Sequence, residues 1–517
     1  MLRYLLILTL GLGTPSLYLS AASDFEEWQR QQTAGFNKSQ DEFKAYLSQV
    51  DQEFSGFLKQ QWKEFDSFKS GNPYKKPKLK KLPVYTPPPA PKPKPVKPSP
   101  VKPIPVKPEP VPAPLPFRPE PVKPPILVKP TLPPEPVLPP APVIPNMLQA
   151  RFDFFGASVA VPYDRGLNKR FTSYRINHEE ISRYWESIAA TNNAPTLEQL
   201  KKIKSSMNLN GWSYAVLVNH FVSRIHNSSE NERKILTWML LLKSGYKARI
   251  AFTNAPNAIH LLLPLDQTVF AATFFTYDGT KYYSVDFDGG KQPAFVGKIF
   301  SYERDYPGAN RLIDVGIRQA ARLPNRLITR KLSFEHNRKQ YQVSVDFDAN
   351  TVKLMQTYPQ VDWKVFFESD VHRVAKQQLL EQLGSMIKGM QEEEAANFLI
   401  HFVQKSFKYA TDQEQFGYEK PLFPEETLFY PKSDCEDRSF MYAWLVHDLL
   451  KRDVVGIKYP GHMAAAVNFR SNIKGTAIRH NGKRFVITDP TYIGANIGTE
   501  MPQFRKTNSR EVIRIRR

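Results

Sequence analysis

The chain has 517 residues, which is longer than one ordinary domain, and 41% of them are hydrophobic, enough for two or three cores. Its single cysteine excludes an intramolecular disulfide, so each domain must be stable through its own core. The formal charge is +21. This sign favours anionic partners, but no nucleic-acid motif is present and we expect no nucleic-acid partner.

The first 22 residues predict an export signal. Met1–Arg3 supply a basic start, residues 4–12 are an apolar run, and small residues follow. Cleavage near Ala22 is the expected outcome, with an uncleaved signal anchor in the inner membrane as the alternative. We therefore expect an exported protein that is periplasmic or otherwise associated with the cell envelope.

Residues 23–72 predict an amphipathic helical segment. Large apolar residues recur at steps of three, four or seven with polar residues between them. These residues are Phe36, Phe43, Leu47, Phe54, Leu58, Trp62 and Phe65. The simplest expectation is one helix packed on another part of the protein. Self-association through residues 23–70, a partner-binding helix and a helix lying on a membrane face stay open.

Residues 73–146 predict an extended linker. Thirty of the 45 prolines lie between residues 73 and 145. Proline lacks an amide donor and fixes its own φ, so we expect a polyproline II spacer with a reach of roughly 200 Å at most. Thirteen lysines and arginines between residues 75 and 129 oppose only two glutamates. Anionic envelope polymers are therefore a possible partner, and a solvated spacer is the alternative.

Globular sequence then alternates helical and strand-like runs. Residues 331–353 have the alternation of β-strands, with a turn at Asp348–Asn350 leading into a further strand-like run at Thr351–Leu354. Helices are predicted at residues 371–396 and 397–407. The predicted domains are a first module, a β-rich connecting segment and a second module, at residues 147–310, 311–365 and 366–517. No zinc-ligand spacing or phosphate-binding glycine loop occurs, so we expect neither metal nor cofactor.

Cys435 is predicted in the first turn of a buried helix. Asp434 is a good N-cap, and the residues from Phe440 to Leu450 are apolar nearly all round. Unpaired amides and the positive end of the helix dipole favour the thiolate at this place. The neighbouring Glu436 and Asp437 oppose this effect, and we expect their side chains to point away.

His462 and Asp489 are predicted to meet beside this helix. His462 opens a strand after a Pro460-Gly461 turn, and Asp489 ends the last strand of a hairpin that turns at Asn481-Gly482. The start of one strand lies beside the end of its antiparallel neighbour, which places both side chains at one sheet edge. Cysteine, histidine and aspartate in this arrangement support attack on an amide or ester carbonyl, with the histidine as base and the aspartate orienting it.

The Asp434–Asp437 core, the Gly461-His462 turn and the Asp489-Pro490 strand end resemble the bacterial transglutaminase-like superfamily, over about residues 370–500. The resemblance implies an α+β, papain-like core in which a helix bearing the cysteine packs on an antiparallel sheet bearing the histidine and aspartate. It implies a thioester intermediate. The catalytic residues it implies are Cys435, His462 and Asp489.

Members of this superfamily include cysteine peptidases, amidases, deamidases and acyl transferases. The resemblance therefore implies an exported, cysteine-dependent acyl-transfer enzyme acting on a protein or peptide amide of the cell envelope. A noncatalytic envelope scaffold, tethered through the N-terminal helix and the proline-rich linker, is the alternative.

Residues 229–288 repeat the layout of the second module. Glu230 stands at the cysteine position at the start of an apolar helix, His260 opens a strand, and Asp286 ends a hairpin 26 residues later, against 27 in the second module. A carboxylate cannot replace a thiolate in this reaction. Residues 147–310 are therefore predicted to be a degenerate transglutaminase-like module, the alternative being a chance likeness of two α+β segments.

Overall fold

The structure is a computed structural model, which describes residues 38, 41–71, 79, 81–86, 136–171, 175–226, 229–254, 257–287, 297–505, 507 and 510–515. The predicted export signal and most of the predicted linker lie outside these residues. Helices and sheets alternate through the chain, which confirms the predicted α+β class. No helix within the described residues combines the length and the apolar composition needed to cross a membrane.

The first part of the chain holds one helix and strand from the N-terminal segment, followed by the first module. In chain order these elements are α1 (41–58), β1 (Lys63–Lys69), β2 (Met147–Phe154), β3 (Ala157–Asp164), α2 (His178–Ala189), α3 (Ala194–Ser206), α4 (Gly211–Ile225), α5 (Glu230–Lys243), β4 (Arg249–Asn254), β5 (Asn257–Leu263), β6 (Thr273–Tyr277), β7 (Thr280–Ser284) and β8 (Gly297–Ser301).

A hairpin, several helices and the second module follow. In chain order these elements are β9 (Leu327–His336), β10 (Lys339–Asp348), α6 (Ala349–Met355), α7 (Trp363–Glu368), α8 (Arg373–Ile387), α9 (Glu392–Ser406), β11 (Lys408–Tyr409), α10 (Asp412–Gln415), α11 (Pro424–Phe429), β12 (Lys432–Ser433), α12 (Cys435–Leu445), β13 (Asp453–Tyr459), β14 (His462–Asn468), β15 (Ala477–His480), β16 (Lys483–Thr488) and β17 (Glu511–Arg514). A π-helical turn, Val446–Leu450, extends α12, and a 3₁₀ turn, Pro502–Phe504, precedes β17.

The N-terminal segment is a helix followed by a strand. The predicted helix is wrong beyond residue 58, because Lys63–Lys69 form β1, which pairs with β6 and β8 and closes a barrel of order β1-β6-β7-β5-β4-β8. Phe65 packs on Phe275 in this barrel, with ring centres 5.1 Å apart. Long-range pairing of this kind overrides a local helical pattern.

The buried face of α1 packs on the first module. Phe54 meets Trp185 edge to face at 4.9 Å, and a buried ion pair of 2.6 Å joins Asp51 to Lys243. Phe43 and Tyr46, farther towards the N-terminus, are exposed. The expectation of one amphipathic helix packed on the protein therefore describes the second half of α1.

The predicted linker is packed against the body at both of its described ends. Residues 79 and 81–86 lie on the second module, where Tyr85 N donates to Ile493 O at 2.9 Å. Residues 136–146 lie on the first module, where Gln199 Nε2 donates to Pro139 O at 3.0 Å. The described ends of the predicted linker therefore contact the two modules. Proline carbonyls still accept hydrogen bonds, although the ring nitrogen donates none.

The two modules share one strand order. Without β1, the barrel of the first module has the strand order β6-β7-β5-β4-β8. The sheet of the second module has the order β15-β16-β14-β13-β17. Numbered within each module, both orders are 3-4-2-1-5. A helix precedes each set of strands, α5 in the first module and α12 in the second. This is the arrangement that a duplicated unit would have.

The connecting segment differs from its prediction after the β9–β10 hairpin. Residues 349–355 form α6, because the Asp348 carboxylate accepts from Thr351 N at 2.6 Å and caps a helix where a strand was expected. The helices predicted at residues 371–396 and 397–407 are observed as α8 and α9. The break between them lies earlier than predicted, between Ile387 and Glu392. Gly389 lies in this break with φ +84°, which favours glycine.

A buried histidine pair fastens the β9–β10 hairpin to α9. His336 Nδ1 and His401 Nδ1 are 2.8 Å apart, so one ring donates and the other accepts. Burial lowers the pKa of both rings, with the neighbouring Lys405 acting in the same direction and Glu394 opposing it at His336, and the pKa of His401 falls to about 4.

We expect the protein to lose stability as the pH falls from about 6.5 to about 4. In that window the unfolded state binds protons that the folded His336–His401 pair does not bind. Melting temperatures measured from pH 7 to pH 4 should fall, and they should fall less steeply in His401→Gln. Equal slopes in the two proteins would show that the pair does not contribute.

Candidate active site

Cys435 is the first residue of α12 and is completely buried. The strand β12 leads into the helix, and it pairs in parallel with β11, so that Tyr409 lies opposite Ser433. Asp437 Oδ2 accepts from the Asp434 amide at 3.0 Å, which is the returning half of a capping box. The thiol therefore lies at the N-terminal, positive end of the helix dipole.

The thiol contacts a carboxylate. Cys435 Sγ donates to Glu436 Oε2 at 3.1 Å, so the expectation that Glu436 points away is wrong. Asp437 instead turns back, and its carboxylate accepts from the Leu422 amide at 2.8 Å.

His462 and Asp489 meet at one edge of the second sheet. His462 is the first residue of β14, and Asp489 directly follows β16, its antiparallel neighbour. His462 Nε2 and Asp489 Oδ2 are 2.8 Å apart, and both side chains are buried. Asp489 Oδ1 accepts from Thr491 N at 2.9 Å. His462 Nδ1 has no hydrogen-bond partner among the described residues.

Ser439 joins the cysteine helix to the histidine strand. Its Oγ lies 2.7 Å from the carbonyl oxygen of Cys435, in the turn before it, and 3.2 Å from that of Met463. Since Met463 follows His462, the first turn of α12 lies against the start of β14. Cysteine, histidine and aspartate thus belong to one buried region of the second module.

Two aromatic rings, which stack on each other at 4.6 Å, lie beside the imidazole. Phe504 stacks on His462 with ring centres 5.1 Å apart and planes within 2°, and Tyr459 lies 6.0 Å away at 18°. Tyr459 is fixed in turn, because its hydroxyl donates to Glu500 at 2.7 Å. The contact of Phe504 with the histidine could not be predicted from the sequence, since a single aromatic residue in a polar C-terminal stretch has no periodic signal.

Gln404 of α9 holds the loop that carries Asp489. Its Nε2 lies within hydrogen-bond distance of three carbonyl oxygens, and its Oε1 accepts from Gly494 N at 3.0 Å. The three oxygens and their distances are Asp489 O at 3.2 Å, Tyr492 O at 2.8 Å and Ala495 O at 3.0 Å. Gln404 was also missed, because a glutamine in a helix ordinarily lies on the solvent face.

Arg438 joins α12 to the end of α9. Its Nη2 donates to Phe407 O at 2.7 Å, and its Nε donates to Ser433 Oγ at 3.3 Å. Burial lowers the pKa of Arg438 to about 10, while Tyr409, Asp434, Asp437 and Cys435 act to raise it. The guanidinium thus stays charged at neutral pH and places a cation near the thiol and at a helix C-terminus.

Several carboxylates stand close enough to share a cation. The closest sets are Asp434 with Cys435 and Glu436, Asp412 with Asp434 and Asp437, and Asp412 with Glu419 and Glu436. Asp412 already accepts from the Lys420 amide at 2.6 Å, and Asp437 accepts from two backbone amides. Asp412 and Asp437 thus serve a turn and a helix start, and acidic groups in that role do not by themselves indicate a metal.

The first module places its histidine differently. α5 begins at Glu230, as α12 begins at Cys435, but His260 is the fourth residue of β5, and the prediction that it opens a strand is wrong. By hairpin register, Asn257 occupies the place of His462. His260 Nε2 instead lies 3.1 Å from Thr253 Oγ1, and burial lowers its pKa to about 4.

Comparisons of the chain with known proteins find no match. No family model matches it, and neither does any curated protein or any solved structure.

Proposed function

We propose that this chain is a transglutaminase-like thiol enzyme that attacks an amide carbonyl of a protein or peptide, as a peptidase, an amidase or deamidase, or a crosslinking acyl transferase. The observation that supports this best is the buried 2.8 Å hydrogen bond between His462 and Asp489 beside the helix that begins with Cys435. An orienting carboxylate on a buried histidine is the arrangement that activates a nucleophile.

The protonation of the histidine follows from this bond. Asp489 accepts a hydrogen from Nε2 of His462, which leaves Nδ1 as the basic nitrogen. Nδ1 takes the thiol proton of Cys435, and the thiolate sulfur bonds to the amide carbon. The carbonyl oxygen becomes an oxyanion that the amides at the start of α12 can stabilise.

The intermediate then divides into products. The imidazolium of His462 gives its proton to the leaving amine as the carbon–nitrogen bond breaks, and a thioester remains on Cys435. Water or a second amine attacks the thioester, His462 takes the proton of that attacking group, and the thiol is restored. Before the first step, the thiol hydrogen must turn from Glu436 towards His462.

Cys435→Ala and Cys435→Ser are expected to abolish activity and to leave the fold intact, since both changes are small. Envelope proteins incubated with wild type or variant would be screened by mass spectrometry for cleavage, deamidation and crosslinks. Products that need Cys435 support the enzyme and identify its reaction. Products that persist in Cys435→Ala would exclude the thiol mechanism, and no products from wild type would favour the scaffold alternative.

His260→Ala is expected to leave the turnover of these products unchanged within about twofold, whereas His462→Ala should abolish it. The two variants remove the same side chain from corresponding strands, so each controls for the other. A folded His260→Ala protein without activity would make the first module a partner in catalysis and would contradict its degenerate role.

A further inference from the structure

Residues 79 and 81–86, here named the strap, lie on the second module next to the candidate active site. The Tyr409 hydroxyl donates to Leu79 O at one end of the strap. At the other end, Tyr85 N donates to Ile493 O at 2.9 Å, and Ile493 N donates to Pro83 O at 3.0 Å. The strap is therefore held by its main chain, in the way that an added strand recognises a sheet edge.

One anchor contacts the elements around Cys435, and the other lies in the loop that follows Asp489. Tyr409 pairs with Ser433, two residues before Cys435, and its ring lies 5.5 Å from the Arg438 guanidinium. Ile493 lies four residues after Asp489, in the loop that Gln404 holds. An extended segment of this length bridges the cysteine side and the aspartate side of the module.

Side chains of the strap pack on the residues that cover the histidine. The Tyr85 ring meets Tyr492 edge to face at 5.8 Å. Leu79 and Tyr85 both pack against the apolar cluster that contains Tyr459 and Phe504, the two rings beside His462. Cys435 and His462 are completely buried, so a substrate carbonyl can reach the sulfur only after residues around the site move. The strap lies over the histidine side of this site.

We propose that Tyr409 and Tyr492–Ile493 form the groove in which the polypeptide substrate of the proposed enzyme binds, and that the strap occupies this groove as a built-in inhibitor. The inference rests on the proposed function. The groove takes an extended polypeptide through hydrogen bonds to both main-chain groups of Ile493, and a proline-containing segment with flanking aliphatic and aromatic residues fits it. β1 ends only ten residues before the strap, so the tethered segment competes at high effective concentration.

A labelled synthetic peptide of residues 77–88 tests the groove. In the full chain carrying Cys435→Ala, residues 79–86 would be replaced by glycine and serine of equal length. We expect this variant to bind the peptide, measured by fluorescence anisotropy, and the chain with an intact strap to bind it about tenfold more weakly, because a tethered competitor acts at an effective concentration of order 1 mM. Equal affinities, or no binding to the strap-replaced chain, would overturn the proposal.

Tyr85→Ala provides a milder second variant. In the Cys435→Ala chain it should increase peptide affinity, and in the chain that keeps Cys435 it should increase the rate at which iodoacetamide labels this cysteine. Lys81→Ala, which changes an exposed side chain of the strap, should alter neither measurement. Unchanged affinity and labelling in Tyr85→Ala would count against the strap as an inhibitor. Because the binding measurement uses Cys435→Ala, it does not depend on catalysis, and failure of the groove would leave the Cys435 activity test standing.

Discussion

Asp489→Asn is expected to lower the turnover of the proposed enzyme about 10⁴-fold. The Asp489 carboxylate accepts from two donors, His462 Nε2 and Thr491 N. An asparagine there keeps one oxygen for Thr491 and turns its amide hydrogens towards Nε2. The imidazole must then carry its proton on Nδ1, the nitrogen that has to receive the proton of Cys435.

The measurement is turnover of the product identified with wild type, together with the melting temperature of each protein. Asp453→Asn is the matched control, because it removes an exposed carboxylate from the same sheet, paired with Lys483 at 2.7 Å. This control should retain full turnover. Near-full turnover in Asp489→Asn, together with an inactive Cys435→Ala, would place the orienting group elsewhere.

Gln404→Leu is expected to destabilise the second module by about 1–3 kcal/mol and to lower turnover as well. Leucine has nearly the same size but removes the donor shared by three buried carbonyls and the acceptor of the Gly494 amide. Asp489 O and Tyr492 O each keep a backbone donor, the amides of Tyr492 and Ala495. Ala495 O is therefore the buried carbonyl that loses its partner, which costs about 1–3 kcal/mol. The loop that positions Asp489 would then lose its fixed conformation.

Urea unfolding gives the free energy of unfolding of this variant and of its control. The control is Gln377→Leu, which makes the same exchange at a partly exposed position of α8, where the side chain donates to Glu381 at 2.9 Å. This control should change the free energy of unfolding by no more than about 0.5 kcal/mol. A loss below about 1 kcal/mol in Gln404→Leu would show that the loop is held by other contacts.

The strands of the second module could be predicted because their signals are local. Asn481 and Gly482 both have positive φ, at +48° and +76°, as the Asn-Gly turn requires. The predicted hairpin over residues 476–488 is observed as β15 and β16, and strand order then brings His462 to Asp489. The same local signals indicated where α12 begins.

The partners of these side chains could not be predicted, because they come from distant parts of the chain. Gln404 lies 85 residues before Asp489, and the Leu79 carbonyl lies 330 residues before Tyr409. Glu436 was misjudged for a different reason, since the direction of a side chain in the first turn depends on its rotamer. His260 was aligned with His462, whereas the strand register places Asn257 there, three residues earlier. Counting along the sequence does not fix hairpin register.

The closing strand of the first barrel also has a consequence for assembly. β1 is separated from β2 by residues 70–146, so the strand is covalently remote from the barrel that it completes. If β1 of one molecule inserted into the barrel of another, its pairing with β6 and β8 would be reproduced bond for bond. Such domain swapping costs little in contacts and is governed mainly by protein concentration. Removal of the chain before residue 70 would instead leave β6 and β8 as open edges, which promote aggregation.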